Sequence, residues 1–199
     1  LPLAVAWSYA DAQNPFYHRA EVLAAIVRGG DALIAAQDAN GRWIFRKKDN
    51  STWGQIYMPW TYSRWIRAYQ IVRDVMPAEA RERWDRALEL GYAGIARELA
   101  ATKTIANIPT HHAMGLHFAG EVFQRPEWRQ LAHDFIHRVS SEQHADGYWT
   151  EHEGPVIAYG FVYVEALGIY AAAASDDTLR ETLRRSALRG PLSRVGIRA

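Results

Sequence analysis

Apolar residues recur at helical spacing through most of the chain. The segment from about residue 18 to residue 37 is one example, with apolar positions Val22, Ile26, Leu33 and Ile34. A period of three to four residues is typical of an amphipathic helix that buries one face. We find no convincing segment with the strict alternation of a half-buried strand. The pattern therefore predicts an all-α chain.

Turn signals divide this pattern into eight helices. Asn14-Pro15 and Arg125-Pro126 are examples, because the residue before a proline is biased away from the helical region. The predicted helices cover approximately residues 1–10, 18–37, 58–75, 77–95, 107–123, 127–142, 155–174 and a last segment from residue 176. Residues 184–199 are rich in Arg and Gly and weakly periodic. We expect one domain over residues 1–183, followed by a basic, frayed tail at 184–199.

A short motif occurs twice, each time directly after an amphipathic helix. Residues 37–43 and 143–149 both consist of Gln, three residues, Gly, one residue and Trp. We expect the Gly to supply a left-handed turn, the Trp to fold back onto the helix end, and the Gln to bond freed backbone groups. Two copies of this Gln-Gly-Trp motif predict repeated helical hairpins.

Composition and charge exclude several classes of partner. The chain has 199 residues, of which 49% are hydrophobic, so it can bury one sizeable core. Its 23 basic and 22 acidic residues give a net charge of +1, which favours neither nucleic acid nor an anionic membrane. The absence of cysteine excludes disulfides and thiolate metal sites. We also expect residues 1–9 to form a mature helix rather than a signal peptide, and no apolar run to be long enough to span a bilayer.

The best candidate for chemistry is the start of the fifth predicted helix. Asn107 is expected to cap this helix with its side-chain oxygen, and Pro109 suits a first turn. His111 and His112 then lie about one turn inside, where the positive end of the helix dipole favours anions and lowers an imidazole pKa. A neutral histidine beside an amide that holds an anion suits general-base catalysis. The alternative is structural, with Asn107 only capping and the histidines packing against neighbouring helices.

Three segments together resemble a known family. Residues 107–112, 146–155 and 159–163 are similar to the toroid domain of heparinase II/III-type and alginate-lyase-type polysaccharide lyases. In that family an Asn and a His come from one inner helix, and a Tyr follows a loop with Asp-Gly, acidic residues and Pro. The resemblance covers about residues 1–175 and implies an α/α toroid. A complete toroid of about twelve helices needs on the order of 300 residues, so this chain holds about two thirds of one.

The resemblance implies β-elimination from a uronate-containing polysaccharide. Removal of the C5 proton requires that the charge of the adjacent carboxylate is offset. Asn107, with the helix N-terminus and His111, would hold that carboxylate. His112, with His111 as its alternative, or Tyr159 would take the proton, and the hydroxyl of Tyr159 or Tyr163 would protonate the leaving oxygen. No cofactor or metal is required.

The same resemblance implies partners and a location. The substrate would be an acidic polysaccharide or oligosaccharide, and the location periplasmic or secreted. The family usually adds a β-sandwich domain after the toroid, so a missing C-terminal β domain is an expected partner. Aromatic rings stack on sugars, and Arg holds uronate carboxylates. On that basis the candidate substrate-binding residues are Trp53, Trp60, Tyr62, Arg64, Trp149, Glu151, Glu153 and Tyr163.

Three other functions remain open on the sequence. A glycoside hydrolase would use paired carboxylates, such as Glu151 with Glu153 or with Asp146. A terpenoid cyclase has a similar Gln-Gly-Trp repeat but needs aspartate-rich segments, for which Asp176-Asp177 is a poor candidate. A non-catalytic toroid fragment would bind glycan without turnover.

One pair of histidines has metal-ligand spacing. His133 and His137 lie one helical turn apart, which places two imidazoles on one face as in zinc sites. No third ligand is evident in the sequence. We therefore predict no metal site.

Overall fold

The chain folds into eight successive α-helices in the computed structural model, which describes residues 2–151 and 154–189. Their bounds are α1 Pro2–Ala10, α2 Ala20–Ala36, α3 Pro59–Val72, α4 Ala78–Ala101, α5 Asn107–Val122, α6 Pro126–Ser141, α7 Ile157–Ala174 and α8 Arg180–Arg189. Single 3₁₀ turns, Arg73–Val75 and Asp177–Leu179, follow α3 and precede α8. The fold is thus mostly α-helical, as the hydrophobic pattern predicts.

The odd-numbered helices form one layer and run parallel. Near the starts of α3 and α5 the rings of Trp60 and His111 lie 5.6 Å apart, and near their ends Arg73 donates to the Val122 carbonyl at 3.2 Å. α1 packs along α3, and α7 packs along α5 in the same direction. The N-terminal ends of α3, α5 and α7 therefore lie at the same end of this inner layer.

The even-numbered helices α2, α4 and α6 form an outer layer. Trp128, near the start of α6, lies against Tyr92 of α4, and Arg138, near the end of α6, donates to the Thr102 carbonyl just beyond α4 at 2.9 Å. α2 packs on α4. Because each outer helix connects two parallel inner helices, it runs antiparallel to them. The core between the layers includes Trp65, Ile66, Tyr69, Trp84, Leu88, Tyr92 and Ile95.

Two short antiparallel hairpins correct the expectation of a chain without strands. β1 (Trp43–Arg46) pairs with β2 (Thr52–Ile56), and β3 (Thr150–Glu151) pairs with β4 (Gly154–Pro155). Each hairpin follows one copy of the Gln-Gly-Trp motif and leads into an inner helix, α3 or α7. Strands of this length are too short for alternation to distinguish them from loop.

The first copy of the motif closes α2 as the sequence predicts. Gly41 has φ of +82°, in the left-handed region that glycine favours. The Trp43 indole donates to the Leu33 carbonyl, in the last turn of α2, at 2.9 Å. Gln37 donates to the Tyr62 hydroxyl at 2.8 Å, and that hydroxyl donates to the Gly41 carbonyl. The indole thus satisfies a carbonyl that the end of α2 leaves free, and the tyrosine hydroxyl satisfies a carbonyl of the turn that follows.

The second copy closes α6 with the same glycine turn and indole bond, but its glutamine has different partners. Gly147 has φ of +83°, and the Trp149 indole donates to the Val139 carbonyl at 2.7 Å. Gln143 donates to the Gly147 carbonyl at 3.2 Å and to the Thr182 carbonyl at 3.0 Å. Because Thr182 belongs to α8, this copy also attaches α8 to the end of α6.

α7 is the one helix in the described part of the chain that is long and apolar enough to cross a membrane. Its 18 residues have a mean hydropathy of 1.5. The expectation that no apolar run reaches this length is therefore wrong. Length and composition alone are weak evidence for a span, because core helices of globular proteins meet the same criterion. The buried residues of α7, which pack in the core, are Tyr163, Ala166, Leu167 and Tyr170.

α8 extends into the segment predicted to be a frayed tail. Residues 184–189 are helical, and Arg184 pairs with Glu181 at 2.7 Å one turn earlier. The tail therefore does not begin at residue 184. Residues 190–199 lie outside the described residues, so the expectation for them stays a prediction.

Candidate active site

Glu151, rather than Asn107, caps the start of α5. Asn107 is the first helical residue, and its own backbone N–H donates to Glu151 Oε1 at 2.7 Å. The Asn107 side-chain amide donates to the same oxygen at 3.2 Å. A carboxylate at this position satisfies a free N–H and complements the positive end of the helix dipole. The prediction that the Asn107 side chain caps α5 is therefore wrong. The capping oxygen comes from β3, 44 residues along the chain, so the local sequence does not reveal it.

Tyr163 supplies a third hydrogen bond to the same oxygen. Its hydroxyl donates to Glu151 Oε1 at 2.8 Å, and its ring stacks on Trp149 with centroids 4.9 Å apart. Burial, followed by this bond to Glu151, raises the pKa of Tyr163. Tyr163 and Trp149 were expected to contact substrate, but both are buried and have intramolecular partners. Tyr163 thus holds the Glu151 carboxylate, and Trp149 packs against the ring of Tyr163.

His112 is a neutral imidazole with a defined tautomer. Its Nε2 lies 2.8 Å from the backbone carbonyl of Tyr57. Because a carbonyl only accepts, we assign the proton to Nε2 and the free lone pair to Nδ1. Burial lowers the pKa of His112 to about 4, while the Tyr57 carbonyl opposes the shift. The low pKa is as predicted, but its largest cause is burial.

His111 faces the neighbouring inner helices. It lies beside Trp60 of α3, and its Nε2 is 3.9 Å from Glu165 Oε2 of α7. The residue is 1% exposed. Burial lowers the pKa of His111, and the Glu165 carboxylate opposes this shift only in part. The backbone of Val162 on α7 also opposes the effect of burial on this pKa. His111 is therefore a buried imidazole that packs between α3 and α7.

Trp60 and Arg64 share one cavity. A cavity of about 500 Å³ lies between α1, α2 and α3, with walls that are mainly apolar. Its lining comprises Val5, Ala25, Ile26, Gly29, Leu33, Trp60, Thr61 and Arg64. Arg64 is the only charged side chain in that lining, and Trp60 is also the ring next to His111. The structure thus brings this predicted pair together beside a candidate histidine.

The remaining predicted residues have different positions. Tyr62 is 1% exposed and its hydroxyl is bonded in the first motif, so the prediction of direct sugar contact is wrong. Trp53 is 59% exposed and stacks on Phe45, on the hairpin that precedes α3. Tyr159 is half-buried at the start of α7. Glu153 lies outside the described residues.

Two features of the site were missed at the sequence level. The Tyr57 carbonyl, which fixes the His112 tautomer, carries no sequence signal because every residue has a carbonyl. Arg67 is half-buried, with its guanidinium 5.3 Å from the Trp7 ring and 5.7 Å from the Phe118 ring. Burial lowers its pKa. Arg67 follows Arg64 by three residues, and residues three apart are neighbours on a helix surface. This spacing is a sequence signal for two cations on one side of α3.

Comparisons with protein-family models, with curated proteins and with solved structures find no match to this chain. Interpretation of the site therefore depends on its own geometry. That geometry consists of the Asn107–Glu151–Tyr163 network, the oriented His112 and the buried His111 at the N-terminal ends of the inner helices. Beside them are Trp60 and the cation of Arg64.

Proposed function

We propose that the protein is a polysaccharide lyase that cleaves a uronate-containing polysaccharide by β-elimination. The observation that carries this proposal is the start of α5, where the amide of Asn107 is followed one helical turn later by the buried His111 and then by the neutral, oriented His112. We also propose that the two antiparallel layers belong to an α/α toroid. Alternating parallel layers of inner and outer helices support that arrangement, because a toroid is built from repeated helical hairpins.

Binding of the uronate carboxylate would use the amide and the cations of the inner layer. The bond to Glu151 uses one hydrogen of the Asn107 amide and leaves the second for the substrate. Arg64 is exposed beside Trp60, so a sugar ring could stack on the indole while its carboxylate pairs with the guanidinium. Offsetting the carboxylate charge makes the C5 proton more acidic.

Proton transfer would use His112 and a tyrosine. The unprotonated Nδ1 of His112 is the base, and an anionic substrate beside it would raise its pKa from about 4 toward the working range. Tyr159 is the better candidate than Tyr163 for donating a proton to the leaving oxygen. Tyr163 is buried and its hydroxyl donates to Glu151. Tyr159 lies one turn earlier on α7 and is more exposed to solvent than Tyr163.

Paired-carboxylate hydrolysis receives no support from Glu151. Its Oε1 accepts three hydrogen bonds from Asn107 and Tyr163, and the residue is buried. A general acid must instead carry an available proton within reach of the glycosidic oxygen. The three hydrogen bonds fit a Glu151 carboxylate that positions Asn107 and Tyr163.

The direct test is incubation of the purified protein with a panel of uronate polymers that includes alginate, heparan-type, hyaluronan-type, pectic and ulvan-type chains. β-Elimination creates an unsaturated uronate, so ultraviolet absorbance should rise with at least one polymer. His112→Ala and Tyr159→Phe should abolish that rise, and Tyr17→Phe, at an exposed tyrosine between α1 and α2, should not.

Other outcomes distinguish the alternatives. New reducing ends without ultraviolet absorbance would indicate a hydrolase, and saturable glycan binding without either product would indicate a binding module. Full turnover by His112→Ala would remove His112 from the mechanism. No product with any polymer, from a protein shown to be folded, would reject the lyase proposal for this panel.

A further inference from the structure

We propose that His133, His137 and Asp176 form a binding site for a divalent transition-metal ion of the zinc class. Each offers one ligand atom, and these atoms all lie within 4.8 Å of one another. The two imidazoles project from one face of α6, with ring centroids 4.1 Å apart. Asp176 comes from the turn after α7, which explains why a third ligand was not evident in the sequence.

The Asp176 carboxylate is held in a fixed orientation. Its Oδ1 accepts the backbone N–H of Thr178 at 3.1 Å and also the Thr178 hydroxyl. Its Oδ2 lies 2.8 Å from His137 Nε2. One oxygen therefore anchors the turn, and the other is directed at the imidazole pair. A ligand oriented in advance reduces the entropy that binding would otherwise cost.

His133 has the partner that metal-bound histidines usually have. Its Nδ1 lies 3.2 Å from Asp134 Oδ1, and Gln130 donates to the same carboxylate oxygen at 2.8 Å. A carboxylate that accepts the N–H of one ring nitrogen leaves the lone pair of the other for a metal. The Asp134–His133 pair thus favours the tautomer with Nε2 free.

The donor set fits zinc better than magnesium or calcium. Two imidazole nitrogens and one carboxylate oxygen suit zinc-class ions, whereas magnesium and calcium prefer oxygen ligands only. Bonds of about 2.1 Å would bring tetrahedral ligand atoms to about 3.4 Å from one another. His133 can make this approach because its side chain is 48% exposed. Binding of the ion would release the proton of the His137–Asp176 hydrogen bond to solvent, and water would complete the coordination.

The test is calorimetric titration of the tag-free protein with zinc chloride in a buffer that does not coordinate metal. We expect one equivalent to bind. His133→Ala and His137→Ala should each weaken binding by about tenfold or more. His144→Ala is the matched control, because His144 is also a surface histidine beside a carboxylate, 3.7 Å from Asp146. Zinc should also raise the unfolding temperature of the wild type but not of the two ligand variants.

The histidine variants decide the outcome, since replacement of Asp176 would also disturb its turn. Unchanged affinity and stoichiometry in both His133→Ala and His137→Ala would overturn the proposal. Absence of zinc binding by the wild type at micromolar to millimolar concentrations would overturn it as well. Neither result depends on enzymatic activity, so the metal site and the lyase proposal are tested separately.

Discussion

Glu151 accepts the backbone N–H of Asn107 at 2.7 Å, so a residue of the second hairpin caps the helix that carries both candidate histidines. The bond couples the position of β3 to the start of α5. Displacement of the hairpin would free the Asn107 amide and the first turn of the helix together. The stability of the fold and the geometry of the candidate site therefore depend on the same carboxylate.

Glu151→Gln should lower the free energy of unfolding by about 1–3 kcal/mol, because the charged oxygen that accepts all three hydrogen bonds is replaced by a neutral amide oxygen, which weakens these bonds and the interaction with the start of α5. Urea denaturation measures the change. Glu142→Gln is the control, since Glu142 is an exposed carboxylate on the same part of the chain. Equal effects of the two substitutions would show that the Glu151 network does not stabilise the fold.

Stability should decrease as the pH falls from about 6.5 to about 4, because of His112. Its folded pKa of about 4 is below the unfolded value of 6.5, so the unfolded state binds a proton first as acid is added. Above pH 6.5 both states are neutral and the contribution is constant. The full difference is on the order of 3 kcal/mol. The buried His111 and His117 have lowered pKa values and act in the same direction.

His112→Gln should flatten this pH dependence while keeping a donor near the Tyr57 carbonyl. Urea denaturation of both proteins between pH 4 and 7 gives the two slopes. His144→Gln, at a half-exposed surface position, should leave the slope of the wild type unchanged. A slope for His112→Gln as steep as that of the wild type would contradict the assignment of the low pKa to His112.

Tyr159→Phe and Tyr163→Phe should separate catalysis from stability. Tyr163→Phe removes one donor from Glu151 in a buried environment and should cost about 1–2 kcal/mol of unfolding free energy. Tyr159→Phe should cost less stability but abolish turnover on any polymer that the wild type cleaves. The reverse pattern, with Tyr159 stabilising and Tyr163 catalytic, would exchange the two roles.

Gly29→Ala and Gly30→Ala should change stability in opposite directions. A Cβ at Gly30 would lie 1.9 Å from the ring of Trp84, whereas one at Gly29 would have no neighbour within 4 Å. Gly29→Ala should therefore stabilise α2 by up to about 1 kcal/mol through helix propensity. Gly30→Ala should destabilise the α2–α4 contact by about 1–3 kcal/mol. Thermal unfolding of the two variants is sufficient, and a loss in both would indicate that α2 tolerates no added methyl group.

Much of the helical architecture could be predicted from the sequence because its signals are local. Hydrophobic period and proline positions located the helices, and the Gln-Gly-Trp motif predicted two helix ends whose Trp43 and Trp149 indoles bond as expected. The two hairpins were missed since their strands are too short to show a period. The bounds of α8 were missed because weak periodicity did not indicate a helix.

The candidate site could be predicted only in part, because its contacts join distant segments. The sequence identified both Asn107 and Glu151 as candidates. It did not show that Glu151 caps the helix that begins at Asn107, 44 residues earlier in the chain. Tyr62 and Tyr163 were grouped with the surface aromatics because residue type does not reveal burial. Asp176 was identified only as a poor candidate for other chemistry, and its approach to His137 depends on how α6 packs against the turn after α7.

The two motif copies differ in what their tyrosine does. Tyr62 lies against Trp43 with centroids 4.8 Å apart, and Tyr163 lies against Trp149 at 4.9 Å. In the first copy the Tyr62 hydroxyl accepts from Gln37 and donates to the Gly41 carbonyl, so it takes part in closing the turn. In the second copy Gln143 donates to the Thr182 carbonyl of α8 rather than to a tyrosine. The Tyr163 hydroxyl donates to Glu151 instead. A repeated motif can in this way close a helix in both copies while the tyrosine of one copy builds a separate hydrogen-bond network.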